Sequence, residues 1–146
     1  MIAIDTNFLV YAHREDSSFH AAALACVAQL ANRRAPWAIP WPCVHEFFAI
    51  STHPRIYKPP TPAAKALDQI EAWLESPSLV LLAESGAHWA QLKTLLQRAK
   101  TTGAAVHDAR IAALCLQHGV RELWTADRDF GRFVPLRSVN PLVGMA

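Results

Sequence analysis

The chain opens on a run that leaves few choices of fold. Met1-Ile2-Ala3-Ile4 is apolar without alternation and stops abruptly at Asp5-Thr6-Asn7. A strand half-exposed to water alternates apolar and polar residues; an unbroken apolar run suits a strand covered on both faces, as in the middle of a parallel sheet. Leu79-Val80-Leu81-Leu82 is a second such run, and Trp37-Ala38-Ile39 and Glu122-Leu123-Trp124-Thr125 are further short strand candidates. Between them lie stretches at helical spacing, so strands and helices alternate and the class is parallel α/β. In such sheets ligands bind outside the carboxyl ends of the strands, where strand order reverses. Asp5 falls at one of those ends, either as a site residue or as the N-cap of the next helix.

The helices are read from caps and apolar stripes. A short helix over Phe8–Ala12 ends near His13-Arg14. Ser18 is placed to cap a second one, with Ala22, Ala25, Cys26, Gln29 and Leu30 on one face. Pro42 opens a third, in which Cys43, Glu46, Phe47 and Ile50 share a face at i, i+3, i+4 and i+7. Thr61 precedes a fourth, with Pro62 in its first turn and Leu67, Ile70, Trp73 and Leu74 on one side. Ser85 opens a fifth, carrying Trp89, Leu92, Leu95 and Leu96, and a sixth carries Asp108, Ile111, Ala112 and Cys115 before Gly119 closes it. Phe133–Leu136 is expected as an edge strand, the position that tolerates a proline.

Two of these stripes contain a carboxylate in an otherwise apolar row: Glu46 and Asp108. A buried carboxylate needs a hydrogen bond, a counter-charge or a metal; a rim position for Glu46 and a first-turn dipole contact for Asp108 are the simpler alternatives. Asp127 repeats Asp5, directly after a strand. Asp129 is read as a turn cap or an arginine partner. Four carboxylates converging on one sheet edge would repel one another strongly, unless a divalent cation sat among them. An all-oxygen set suits Mg2+, with Mn2+ as a substitute, and not zinc. None of the seven histidines forms a zinc signature. Carboxylate-held Mg2+ does phosphoryl chemistry on water and phosphodiesters.

Composition bounds the rest. At 146 residues, with 52% hydrophobic and 18% charged residues, the chain is read as one globular domain, residues 1–146. A net charge of +2 neither requires nor excludes nucleic acid. The three cysteines, Cys26, Cys43 and Cys115, form no CxxC pair and are expected as buried free thiols. No apolar stretch is long enough for a membrane span, so a cytoplasmic location is expected. The loop His53–Pro60 is stiff and basic. Arg55 and Lys58 are candidate phosphate contacts, alongside Arg14 and Arg128, with a solvated surface loop as the alternative.

In their order, these motifs resemble PIN-domain ribonucleases, specifically the VapC-type toxins of toxin–antitoxin pairs. The anchors are Ile4-Asp5-Thr6-Asn7, Val44-His45-Glu46-Phe47, Val106-His107-Asp108-Ala109 and Thr125-Ala126-Asp127-Arg128-Asp129-Phe130. Tyr11-Ala12-His13-Arg14, Trp37–Pro42 and Thr52-His53-Pro54-Arg55 resemble a subgroup common among actinobacterial toxins. The resemblance implies a three-layer α/β/α sandwich around a short, mainly parallel sheet. It also implies a metal-dependent endoribonuclease acting on structured RNA such as tRNA. Asp5, Glu46, Asp108 and Asp127 would hold the metal and carry catalysis, with Asn7 and Thr125 supporting them through hydrogen bonds. Homodimerisation and a cognate antitoxin, lying across the first helices and reaching the acidic pocket, are further implications. A phosphatase using Asp5 would want a second Asp where Asn7 stands, and a receiver domain a lysine near Arg128. A PIN-like module that binds RNA or protein without cleaving is the remaining alternative.

Overall fold

The computed structural model describes residues 1–143. Its five strands are β1 (Ile2–Ile4), β2 (Trp37–Pro40), β3 (Leu79–Leu82), β4 (Glu122–Trp124) and β5 (Arg137–Val139). They form one sheet in the order β3-β2-β1-β4-β5. Every pairing is parallel, with Ile4 opposite Trp124 and Ala38 opposite Val80. The six helices are α1 (Thr6–His13), α2 (His20–Asn32), α3 (Trp41–Ser51), α4 (Ala63–Leu74), α5 (His88–Arg98) and α6 (Val106–Gln117).

Topology follows from handedness. The chain first winds outward from β1 through β2 to β3, then returns across the sheet to β4 and continues to β5. Right-handed crossovers put helices on one face during the outward winding and on the other after the return. Accordingly α1 packs on α2 and α3, and α3 on α4, while α5 packs on α6. The result is the three-layer α/β/α sandwich. Strand order reverses between β1 and β4, so the crevice at their carboxyl ends is where a ligand belongs.

The inner strands are as dry as their composition requires. Ala3, Ile4, Trp37, Ala38 and Ile39 are fully buried, and Phe8, Phe47, Phe130 and Phe133 fill the layers above and below them. Cys26, Cys43 and Cys115 are buried free thiols. Among the described residues, no helix is long and apolar enough to cross a membrane.

Several expected details come out differently. The edge strand lies at Arg137–Val139, not at Phe133–Leu136. Phe133 and Leu136 turn inward as core plugs, joined by a Leu136 N–H to Phe133 C=O bond, before the chain reaches the sheet. Neither Ser18 nor Thr61 caps a helix: α2 begins after Phe19 and α4 after Pro62. The Thr61 hydroxyl instead accepts from Arg14 Nη1 at 3.3 Å and contacts His13 Nε2 at 3.2 Å. The buried face of α2 is Ala23, Cys26, Val27 and Leu30, a rotation that leaves Ala25 and Gln29 in solvent. On α4, Ala66 and Trp73 are buried while Leu67 and Leu74 are exposed, and Trp89 on α5 is 64% exposed. Helices this rich in apolar residues offer more than one stripe, and tertiary packing chooses between them.

Candidate active site

Asp5 is built into the crevice by backbone and side chain together. Its N–H donates to the Trp124 carbonyl at 3.0 Å, extending the β1–β4 ladder by one residue. The carboxylate does not cap α1. It points into the protein, 4% exposed, and each oxygen has a donor. Thr125 Oγ1 donates to Oδ2 at 2.7 Å, and Cys43 Sγ donates to Oδ1 at 3.6 Å. Burial and the charge of Asp5 push the Cys43 thiol well above its ordinary range, which keeps the donor proton in place. Burial also raises Asp5 itself, from 3.8 to about 6; the Thr125 hydroxyl opposes this and nearby Glu46 adds to it. Such a carboxylate is poised for a counter-charge the protein itself does not supply.

The other carboxylates arrive from three further elements. Glu46, partly exposed on α3, accepts from Thr6 Oγ1 through Oε2 at 2.7 Å, so the first residue of α1 aims it. Asp108 stands in the first turn of α6, half-buried. Its carboxyl is raised first by burial, then by Asp127, Glu46 and Asp129, while Arg132 pulls it the other way. Asp127 follows β4, and its N–H donates to Thr125 Oγ1 at 3.0 Å. That threonine therefore ties Asp5 and Asp127 together. Asp127 Oδ1 caps the short 3-10 helix Arg128–Arg132 by accepting from Asp129 N–H at 2.9 Å. Asn7 Oδ1 accepts from Ala126 N–H at 3.3 Å, a second tie between the β1 and β4 ends.

Asp108, Asp127 and Asp129 each offer a carboxylate oxygen within 4.8 Å of the other two. Asp5 and Glu46 adjoin this group electrostatically: Glu46 raises both Asp5 and Asp108. Asp5, Glu46, Asp108 and Asp127 are thus brought to one sheet edge, and Asp129 joins them. Sequence reasoning missed Asp129 as a member, reading it as a cap or arginine partner. The cap is Asp127, whereas the arginine contact exists, with Arg132 Nη2 3.8 Å from Asp129 Oδ1. The acid-x-acid spacing at Asp127 and Asp129 was the available signal. Thr6, Cys43 and Arg132 were also missed; nothing in their local sequence separates them from ordinary helix residues.

The basic candidates scatter. Arg14 is almost buried at the far end of α1, about 12 Å of helix from Asp5. Its Nε and Nη2 grip Asp16 at 2.9 and 2.5 Å, and Nη1 donates to the Pro59 carbonyl at 3.0 Å. Its face lies 4.2 Å from the Tyr57 ring centroid. In place of the expected phosphate contact, Arg14 is a strut holding the loop of residues 53–60. Arg55 and Lys58 are exposed on that loop, at the same remote end. Arg128 is exposed beside Asp127.

Comparison with known proteins agrees with this geometry. Residues 2–134 match the PIN domain family. Over 144 residues, 99% of this chain and 97% of the relative, the sequence is 33% identical to Ribonuclease VapC43 of Mycobacterium tuberculosis. The fold is similar to that of VapBC2 from Rickettsia felis bound to a DNA fragment from their promoter, with a TM-score of 0.67 and 18% identity over 96% of this chain and 98% of that one. It is equally similar to Mycobacterium tuberculosis VapC20, a Sarcin-Ricin loop cleaving toxin, with a TM-score of 0.67 and 17% identity over 94% of this chain and 99% of that one. The chain belongs to the PIN-domain family and, within it, to the VapC ribonucleases.

Proposed function

We propose that this protein is a divalent-metal-dependent endoribonuclease, the toxin of a toxin–antitoxin pair, cutting phosphodiesters of structured RNA such as tRNA at Asp5, Glu46, Asp108 and Asp127. The observation that carries the reading is the convergence of these carboxylates, with Asp129, on the strand-reversal crevice. The donor set fits a hard dication. It is all oxygen, Asp108, Asp127 and Asp129 lie close enough to share an ion, and the upward shifts of Asp5 and Asp108, caused first by burial and then by neighbouring carboxylates, mark charge that an ion would offset. Mg2+ or Mn2+ held there would supply Lewis-acid chemistry: activation of a water and stabilisation of the leaving oxygen.

The chain's own residues do the positioning. Thr125 and Cys43 hold both oxygens of Asp5 so that it cannot rotate away from the crevice. Thr6 holds one oxygen of Glu46. Asp108 from α6 and Asp127 after β4, with Asp129, complete the cup. A preorganised cup of this kind costs no rearrangement when the phosphodiester arrives. In the same reading the toxin is a homodimer, and a cognate antitoxin restrains it by covering the acidic crevice across the first helices.

Incubation of the purified protein with total RNA in Mg2+, Mn2+ or EDTA, beside Asp5→Asn and Asp108→Asn, tests the proposal. Discrete fragments that require metal and vanish in both variants are expected. Tight RNA retention without cleavage in any metal would replace this reading with that of a binding module.

A further inference from the structure

A site that gathers five carboxylates must still accept a polyanion. Cations close to the crevice are therefore as necessary as the ion within it. The arginines with other engagements do not meet that need. Arg14 is consumed by Asp16 and the 53–60 loop, and Arg110 pairs with Glu84 at 3.3 Å. The short helix after β4 is different. It carries Arg128 at its first position and Arg132 at its last, bracketing Asp129.

Arg132 is held in a definite attitude. Its Nε donates to the Asp129 carbonyl at 3.2 Å, so the base of the guanidinium is fixed to its own turn. Its face lies 5.8 Å from the centroid of the buried Phe133 ring, which backs the group with apolar surface. Nη2 lies 3.8 Å from Asp129 Oδ1, beyond hydrogen-bond length, and Nη1 has no hydrogen bond among the described residues. The side chain is 39% exposed. A guanidinium anchored at Nε, set over an aromatic ring and with no hydrogen bond on its Nη groups among the described residues presents two donors in the fork geometry that matches phosphate oxygens. It does so beside Asp129, whose own carboxylate lies within 4.8 Å of Asp108 and Asp127.

Resting on the ribonuclease reading, we infer that Arg132 is a substrate-contacting residue, its free Nη edge receiving an RNA phosphate next to the acidic crevice. Arg128, on the same turn, is the natural second contact to a neighbouring phosphate. Asp129 then has two tasks: it completes the acidic group and keeps Arg132 beside it.

The test is binding of end-labelled bulk tRNA in EDTA, where nothing is cut, to wild type, Arg132→Gln and Arg132→Lys across a range of salt. Each protein's Mn2+ affinity and melting temperature are measured alongside. Arg132→Gln should bind about five- to tenfold more weakly, with the slope of log affinity against log salt shallower by about 0.7–0.9, one phosphate contact. Arg132→Lys should keep the wild-type slope because it keeps the charge, and neither variant should lose Mn2+ affinity, since Arg132 offers the ion no ligand and its charge opposes the ion. If Arg132→Gln keeps wild-type affinity and slope, the inference is overturned and the guanidinium edge is left for a protein partner, even where cleavage falls. If wild type itself neither binds nor cuts RNA in any metal, the ribonuclease reading fails and takes this role of Arg132 with it.

Discussion

Replacing Asp5 by Asn should make the metal-free protein more stable at neutral and alkaline pH while abolishing its ribonuclease activity. The buried carboxyl titrates at about 6 in the folded protein against 3.8 as its ordinary value. At about 1.36 kcal/mol per unit, ionised Asp5 costs the fold about 3 kcal/mol, and at 4% exposure there is little solvent to screen it. The sign is that of a raised acid. The folded state binds more protons than the unfolded one between these two values, so stability is full below the lower value and is lost as pH rises through the higher. Asn keeps an oxygen to accept from Thr125 and loses the charge. For a chain this size, about 2–4 °C accompany each kcal/mol, so Asp5→Asn should melt about 6–12 °C above wild type at pH 8 in EDTA. At pH 4 the two should melt together. Saturating Mn2+ should narrow the gap, because wild type gains more of the binding energy than a variant lacking the Asp5 charge. Thermal melts at both pH values, with and without metal, read all of this. A variant no more stable than wild type at pH 8, or an equal gap at pH 4 and pH 8, would falsify the account of Asp5 as a destabilised carboxylate awaiting a cation.

Thr125→Val preserves shape but removes the hydroxyl that donates to Asp5; the carboxyl should rise further, and the acid limb of the cleavage profile should move to higher pH, read from rates across pH. Excess Mn2+, at about a hundredfold over its dissociation constant, should stabilise wild type by about 2.7 kcal/mol in melting experiments, and Asp108→Asn should lose most of that gain. Arg14→Ala should remove a buried side chain packed on Tyr57 along with its bonds to Asp16 and the Pro59 carbonyl, and it should lower the melting temperature chiefly through lost packing, since both bonding partners are exposed. It should also speed tryptic cutting after Arg55, with little effect on metal affinity. Phe47→Ala removes a fully buried ring packed on His13 and Trp73 and should cost about 3–5 kcal/mol in denaturant unfolding.

The parallel sheet was legible because Ile2–Ile4 and Leu79–Leu82 have no polar residue to alternate with, although Leu79–Leu82 proves to be an edge strand with Val80 exposed. The edge was not, since Arg137-Ser138-Val139 is short and mostly polar, and its pairing with β4 is a long-range fact. Asp5 and Asp127 stood out by following strands, and Glu46 and Asp108 by interrupting apolar stripes. What holds them did not stand out. Thr6 meets Glu46 across 40 positions, and Cys43 meets Asp5 across 38. Local pattern carries no trace of such contacts. Exposed stripes misled for a related reason: Leu67 and Trp89 satisfy helical periodicity, yet neighbouring helices chose other faces.

The reversal of strand order between β1 and β4 also sets when this enzyme comes into being. The bond from Thr125 to Asp5 joins residues 120 positions apart, and Asp127 and Asp129 come later still. A chain made N-terminus first contains Asp5 and Glu46 well before Thr125, Asp127 and Asp129 exist. Until β4 slots in beside β1, Asp5 lacks its threonine and the acidic crevice lacks one wall. A crevice built this way is complete only once the segment from β4 to Asp129 has docked beside β1.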